Sequence, residues 1–480
     1  MLKISKLFAA RDMTEGTPWK RILEFSIPLL IGNIAQQFYN TVDSIIVGRY
    51  IGDNALAAVG SAGPILNLLL VLFVGVATGA GIMVSQYFGA RDREGLSRTI
   101  GVTMTLTAIA SLIIMIIGPM LTRPLLQFLN TPESIIGWSE GYLNIFFLGA
   151  AGFSYYNILS GILRGLGDSA SALVFLLVST ALNVVLDIWF VAGFNMGVPG
   201  VALATVIAQA ISAILCLIKL LGMKEHFDLN LKMLKLSKGF PGRLLRLGLP
   251  SGITQAIFSF AMIAVQSLTN SFGEMVIAAN VIIMRVDGFA MMPNFSFGTA
   301  MTTYVGQNIG AGKMDRVEQG TKDGLKMAVS VATVITISIL VFGKYLMRIF
   351  TDTGELVDLS MYLMRILALG YIAMAVTQVL SGAMRGAGDT LTPMWISMIT
   401  TILIRVPIAY GLAYLTRSPE YPTGMPESVF ISLLIAWVFG SLINTFFYRR
   451  GKWKKKGGAG NGCGRVIDRR LVFERMLKYE

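Results

Sequence analysis

The sequence predicts an all-α integral membrane protein, with twelve transmembrane helices in two six-helix lobes related by internal duplication. Three observations predict it. The 480-residue chain is 54% hydrophobic and only 14% charged, with a mean hydropathy of +0.67, whereas a soluble domain carries about 25% charged residues. Apolar runs of the ~20 residues needed to cross a bilayer recur from end to end. Finally, Ser160-Gly-Ile-Leu-Arg-Gly-Leu-Gly-Asp-Ser169 returns 221 positions later as Ser381-Gly-Ala-Met-Arg-Gly-Ala-Gly-Asp-Thr390. The same offset relates Gln86, Gly89 and Ala90 to Gln307, Gly310 and Ala311, and Gly52 and Ala57 to Gly273 and Ala278. One constant offset over so long a stretch marks the duplication of a single unit.

The expected spans are 22–47, 54–88, 98–122, 134–159, 169–192 and 198–218 in the first copy. In the second they are 247–270, 276–307, 325–350, 356–381, 391–415 and 427–448. Six spans per copy give both copies one membrane orientation. The expected organisation is a cytoplasmic N-terminus (1–20), an N-lobe (21–218), a cytoplasmic linker (219–246), a C-lobe (247–449) and a basic cytoplasmic tail (450–480). The copies open alike, Arg21-Ile22-Leu23 leading to Pro28 and Arg243-Leu244-Leu245 to Pro250. Proline removes a backbone donor and often kinks a membrane helix, so Pro28, Pro64, Pro293 and Pro407 are candidate bends and Pro28 a candidate hinge. Tolerated local adjustment is the competing reading. Gly239, Pro241 and Gly242 break helix in the linker. The tail from Val466 reads as a short basic surface helix.

A net charge of +13 first suggests nucleic acid, but its distribution does not. With both termini inside, 32 of the 40 Lys and Arg fall in inner segments and five (Arg49, Arg123, Lys344, Arg348, Arg417) in outer loops. This is the positive-inside asymmetry of the cell membrane. Anionic inner-leaflet lipid is a sufficient partner for the linker and for Lys452–Lys456, and no nucleic acid is expected. Residues 1–21 lack the apolar run of a cleavable signal. The two cysteines, Cys216 in a span and Cys463 in the tail, offer neither a disulfide nor a thiol metal site.

Charged groups in hydrocarbon are functional candidates by default. Asp43 and Asp187 both lie late in outward-running spans, while Tyr142 and Thr205 lie early in inward-running ones. All four therefore sit at one depth. Asn183 shares a helix face with Asp187, and Asn40 with Asp43. Asp43, Asn40, Tyr142, Asn183, Asp187 and Thr205 together make an oxygen-rich site for a proton or a hard monovalent cation such as Na⁺. Two carboxylates in one poorly solvated cavity cannot both ionise cheaply. The competing reading is separate helix caps.

In the second copy Asp287 shares its depth with Arg285, Arg365 and Arg405. Arg285 and Asp287, two apart, do not face one another, so a cross-helix pair with Arg365 or Arg405 is expected. The network is either a buried brace or an anion or cargo contact. Gln36, Gln37, Tyr39, Asn157, Gln255 and Asn294 either line a polar substrate pathway or glue helices together. Met291, among abundant methionines, suits an adaptable cavity or simple packing. His226 reads as a solvated linker residue. No phosphate-binding Gly-Lys-Ser/Thr loop occurs, and the thin catalytic patterns point away from an enzyme.

At these residues the chain resembles the multidrug and toxic compound extrusion (MATE) transporters over about residues 15–450. The resemblance rests on Asn40-Thr41-Val42-Asp43-Ser44, Asn183 with Asp187, the paired Arg-Gly-x-Gly-Asp turns, and Gln86–Ala90 with its echo Gln307–Ala311. It implies a monomer of two six-helix lobes around a cavity, with no cofactor. Cationic or amphiphilic small molecules would be exported against H⁺ or Na⁺. The first-lobe cation site of prokaryotic relatives would fall on Asp43, Asn183, Asp187 and Thr205, with Tyr142 close by. The NorM branch uses a span-seven Glu where this chain has Phe258, and a span-ten Asp where only Arg365 is available. The DinF-like branch, coupled through the first lobe, is therefore the expected one. A lipid-linked glycan flippase of the same superfamily is the alternative.

Overall fold

The computed structural model describes residues 11–230, 232–237, 239–419 and 421–455, without the side chains of Asn40 and Asp53. The expectations for Asn40 and for the tail beyond 455 lie outside the described residues. Among those described the chain is helical, with no strand.

Twelve rods follow the expected order. They are α1 (Pro18–Tyr50), α2 (Asp53–Gly89), α3 (Arg93–Phe128), the pair α4 (Glu133–Leu148) and α5 (Ala150–Gly165), α6 (Ser169–Asp187) and α7 (Gly197–Leu221). Then come α8 (Phe240–Asn270), α9 (Glu274–Gly310), α10 (Met314–Arg348) and the pair α11 (Gly354–Ala368) and α12 (Gly370–Gly386). The set ends with α13 (Leu391–Met398), α14 (Arg405–Leu415) and α15 (Glu427–Arg450). Among the described residues, nine helical segments are long and apolar enough to cross a membrane, or up to eleven when each bent pair counts as one span. The remaining rod, α1, runs unbroken through Pro28.

Two local features differ from straight rods. The pairs α4–α5 and α11–α12 bend by 55° and 43°. They break at Gly149 and just before Gly370, which are 221 positions apart, so the duplication preserved the kink. In addition, α6 passes into a π-helical turn at Ile188–Gly193, and a second π turn, Ile399–Ile404, joins α13 to α14. Such turns insert one residue per bulge and often mark functional positions.

The repeated Arg-Gly-x-Gly-Asp stretches form turns with the same glycine φ and the same hydrogen-bond pattern. Gly167 and Gly388 both take φ +86°, a region open to glycine at little cost. Asp168 and Asp389 donate their amides to the carbonyls of Leu163 (2.9 Å) and Met384 (2.9 Å). Each Asp then caps the next helix. Asp168 accepts from the Ser171 amide (2.9 Å) and hydroxyl (2.6 Å), and Asp389 from the Thr392 amide (3.3 Å) and hydroxyl (2.7 Å). Asp168→Ala should therefore cost about 1 kcal/mol, the usual worth of an N-cap. It should appear as a small fall in the thermal midpoint in detergent, with Asp168→Asn close to wild type.

The helices gather into two compact units whose boundaries differ from the repeat boundary. The first holds Arg11, Glu24–Val84 and Arg93–Ala256; the second holds Asp12–Leu23, Ser85–Asp92 and the chain from Ile257. The first half of α8 thus belongs with the first unit. The reason is a glycine face. Gly75 and Gly79 of α2 meet Gly248 and Gly252 of α8 backbone to backbone, and a Cβ at Gly79 would lie 2.7 Å from the Leu244 carbonyl oxygen. Small residues four apart permit this close crossing.

The linker is also docked. Arg93, at the start of α3, clamps Asp228 through Nε (2.9 Å) and Nη2 (2.8 Å) and reaches the Lys224 carbonyl (2.7 Å). Its guanidinium holds the exposed Asp228 carboxyl below the usual carboxylate range. Further on, the Thr105 hydroxyl donates to the Leu234 carbonyl (2.6 Å).

Candidate functional site: a buried carboxylate pair

Asp43 of α1 and Asp187 of α6 come together in the first unit, within hydrogen-bonding reach of each other. Asp187 is fully buried, at the junction where α6 becomes the π turn. One turn earlier on the same face, Asn183 lies beside it and is 1% exposed. The Asn183 amide nitrogen donates to the Thr205 hydroxyl of α7 at 3.2 Å. That interaction turns the Asn183 carbonyl oxygen away from Thr205. The Tyr39 hydroxyl shares a hydrogen bond with the same Thr205 oxygen at 3.3 Å. Tyr142 of α4, buried and tilted against Phe146 with ring centroids 4.9 Å apart, faces Asp43, Asp187 and Tyr39.

The electrostatics of this cluster are one-sided. Asp43 Oδ1, Asn183 Oδ1 and both Asp187 oxygens are buried without a hydrogen-bond donor among the described residues. Among the described residues, no basic side chain acts on either carboxyl. Unpaired buried acceptors are costly. A proton between the carboxyls, or one monovalent cation held by carboxylate, amide and hydroxyl oxygens, would satisfy them together.

The structure thus brings together Asp43, Tyr142, Asn183, Asp187 and Thr205. It adds Tyr39, which sequence reasoning had grouped with the substrate pathway. Tyr39 lies four residues before Asp43, one helical turn away on the same face, and that spacing was the available signal. The π turn carried no signal in hydropathy.

In the second unit the four-member network divides. Asp287 of α9 lies beside the Tyr371 hydroxyl of α12 and the Arg405 guanidinium, while Asp287 Oδ1 and Arg405 Nε lack hydrogen-bond partners among the described residues. Arg405 directly follows the second π turn, as Asp187 directly precedes the first. Arg285 and Arg365 are exposed, and Arg365 acts on Asp358 instead. Of the two expected candidates, Arg405 rather than Arg365 is the arginine whose charge reaches Asp287. Tyr371 is a member that sequence reasoning missed.

The expected pathway residues scatter. Gln36, Gln37 and Asn157 are half-buried and Gln255 is exposed. Met291 and Asn294 are packed in the second unit's core, Asn294 donating to the Tyr371 carbonyl at 3.3 Å. As they stand, these two glue helices rather than line an open cavity, because Met291 packs among the core side chains that include Tyr371.

The MatE family model matches residues 28–189 and again 250–411, once in each copy of the repeat. The chain belongs to the MatE family. A relative described as "Probable multidrug resistance protein YoeA", from Bacillus subtilis (strain 168), is 31% identical over 91% of this chain and 95% of its own length. "Probable multidrug resistance protein NorM" of Thermotoga maritima is 25% identical over 91% of this chain and 93% of its own. Among solved structures, a MATE protein in complex with MaD3S is 25% identical, with a TM-score of 0.83 over 92% of this chain and 98% of that one. A MATE protein in the bent conformation gives a TM-score of 0.86 at 24% identity, covering 93% and 98%. The MatE fold has two lobes, and this family member is accordingly a multi-pass membrane protein.

Proposed function

We propose that this MatE member is a secondary multidrug exporter, driven by cation entry at the Asp43–Asp187 pair and working by alternating access. The observation that carries the reading is the set of four buried acceptor oxygens without donors on Asp43, Asn183 and Asp187. A cation shifts a two-state equilibrium only through differential affinity. These oxygens supply it if they converge in one state and are hydrated in the other. Cationic or amphiphilic small molecules are the cargo class, by analogy with relatives described as multidrug resistance proteins. H⁺ and Na⁺ are both suited to the site. Coupling through the first copy matches the DinF-like branch, since Phe258 and Arg365 stand where the NorM branch places acids. The positive-inside charge pattern supports a cytoplasmic position for both termini and the linker. Catalysis is not part of the reading.

Proteoliposomes test it. With ethidium as cargo, an imposed H⁺ or Na⁺ gradient should drive accumulation uphill, and collapsing the effective gradient should stop it. Equilibration without accumulation under both gradients would count against coupled export. A lipid-linked glycan flippase is the second reading, favoured by Arg405, whose buried Nε has no hydrogen-bond partner among the described residues. It would show gradient-independent movement of an anionic lipid probe in the same vesicles.

A further inference from the structure

The carboxylate pair leaves one repeated motif unexplained, Gln86-x-x-Gly89 and its copy Gln307-x-x-Gly310. In the second unit the two copies cross. Gly89 lies against the Gln307 backbone carbonyl and Gly310 against that of Gln86, each so closely that a Cβ would collide with backbone. Residues related by the duplication thus exchange contacts reciprocally, as they do in a two-fold interface. Gly306 closes on the Ser85 side chain at the same place.

The two glutamine side chains have diverged. Gln86 Nε2 donates to the Gly386 carbonyl (2.9 Å), in the second Arg-Gly-x-Gly-Asp turn. Gln307 Oε1 accepts from the Met13 amide (2.8 Å). Met13 is 1% exposed and belongs to a strap, Asp12–Gly16, laid over the end of α9. Asn308 Nδ2 and Arg316 Nη2 donate to the Met13 carbonyl (3.2 Å each), Lys313 Nζ to the Thr14 carbonyl (3.0 Å), and Arg316 Nη1 to the Gly16 carbonyl (2.8 Å). The strap leads directly into α1, the helix that carries Tyr39 and Asp43.

We propose that the Gln-x-x-Gly crossing, held by the Met13 strap, is the cytoplasmic gate of the transport cycle and is closed in this structure. The proposal rests on the alternating-access reading above. A glycine crossing suits a gate because it packs backbone on backbone, so that parting it disengages few side chains, Gln86 with its hydrogen bond to Gly386 among them. The strap suits a latch because it is held by hydrogen bonds between its main-chain groups and the side chains of Gln307, Asn308, Lys313 and Arg316, which water can replace when it lifts. Its continuity with α1 gives a cation at Asp43 a mechanical route to the latch.

Cross-linking tests the gate. A Cβ at residue 306 would lie 3.0 Å from the Ser85 Cβ, near the roughly 3.5–4.5 Å that a disulfide spans. In a chain carrying Cys216→Ala and Cys463→Ala, Ser85→Cys with Gly306→Cys should cross-link on oxidation in membranes. Ethidium export should then be lost, and reduction should restore it. Export by the fully oxidised protein at the rate of its reduced form would overturn the gate.

A reduced protein that folds but exports nothing under either gradient would fail the efflux reading instead. Hydrogen exchange decides the gate in that case, or if the double variant does not fold. Gln307→Ala should speed exchange at the Met13 amide and at the ends of α2 and α9, with the thermal midpoint nearly unchanged. Unchanged exchange would overturn the latch.

Discussion

Asp187→Asn should abolish gradient-driven export while leaving a folded protein in the membrane. The substitution keeps the shape of the side chain, so the buried packing between α6 and α7 survives. What changes is the charge balance. Both Asp187 oxygens are buried without donors among the described residues, and Asp43 Oδ1 is in the same condition. An amide at 187 brings its own donors, one of which can satisfy Asp43. The pair would then be held permanently in a condition resembling the loaded one, with no site for an exchangeable cation. A ligand that cannot discriminate between two states shifts neither. Asp43→Asn should behave in the same way. The measurement is ethidium accumulation in proteoliposomes under H⁺ and Na⁺ gradients, beside size-exclusion profile and thermal midpoint in detergent. Export at the wild-type rate from either variant would sink the assignment of coupling to the first unit. A poorly folded variant would mean that the pair is structural.

Gly79→Leu should prevent the first unit from assembling. A Cβ at this position would stand 2.7 Å from the Leu244 carbonyl oxygen, 2.8 Å from the Gly248 nitrogen and 2.9 Å from its Cα. All three are backbone atoms of α8, so no rotamer change relieves the clash; α8 must move away from α2. Overpacking of a filled interior typically costs about 1–3 kcal/mol, and more where backbone must shift. Gly79→Ala should lower the thermal midpoint, and Gly79→Leu should lower the yield of monodisperse protein. Gly63 supplies the control on the same helix, since a Cβ there meets nothing within 4 Å. Equal stability of the Gly63→Ala and Gly79→Ala proteins would show that the crossing is looser than its geometry indicates.

Much of this architecture was legible because a bilayer simplifies the reading. Long apolar runs locate helices, and basic residues fix depth and direction. Depth then predicted that Asp43, Tyr142, Asn183, Asp187 and Thr205 could meet, and the structure places them together. Tyr39 was misplaced because a tyrosine one turn from an acid has two plausible tasks, and only the Thr205 contact distinguishes them. The division of the arginines was not legible either. Arg365 and Arg405 share a depth with Asp287, but rotation about a helix axis decides which one faces it, and hydropathy is blind to rotation when every face is apolar. The π turns beside Asp187 and Arg405 were hidden for a related reason. Inserting a residue into an all-apolar helix leaves no periodic mark. The unit boundary within α8 needed the glycine spacing Gly248-x-x-x-Gly252 to be matched with Gly75-x-x-x-Gly79, and no rule on a single sequence says which two stripes pair.

That crossing also bears on how the two copies can be inherited. The positions corresponding to Gly75 and Gly79 in the second copy are Ser296 and Ala300, and those corresponding to Gly248 and Gly252 in the first are Ile27 and Ile31. Each copy contributes one glycine stripe to the crossing, and the duplication-related pair of stripes lacks glycine on both sides. A gene split in the linker would strand Gly75 and Gly79 without the helix half that covers them. A cut in the linker therefore divides a single packing contact between two fragments.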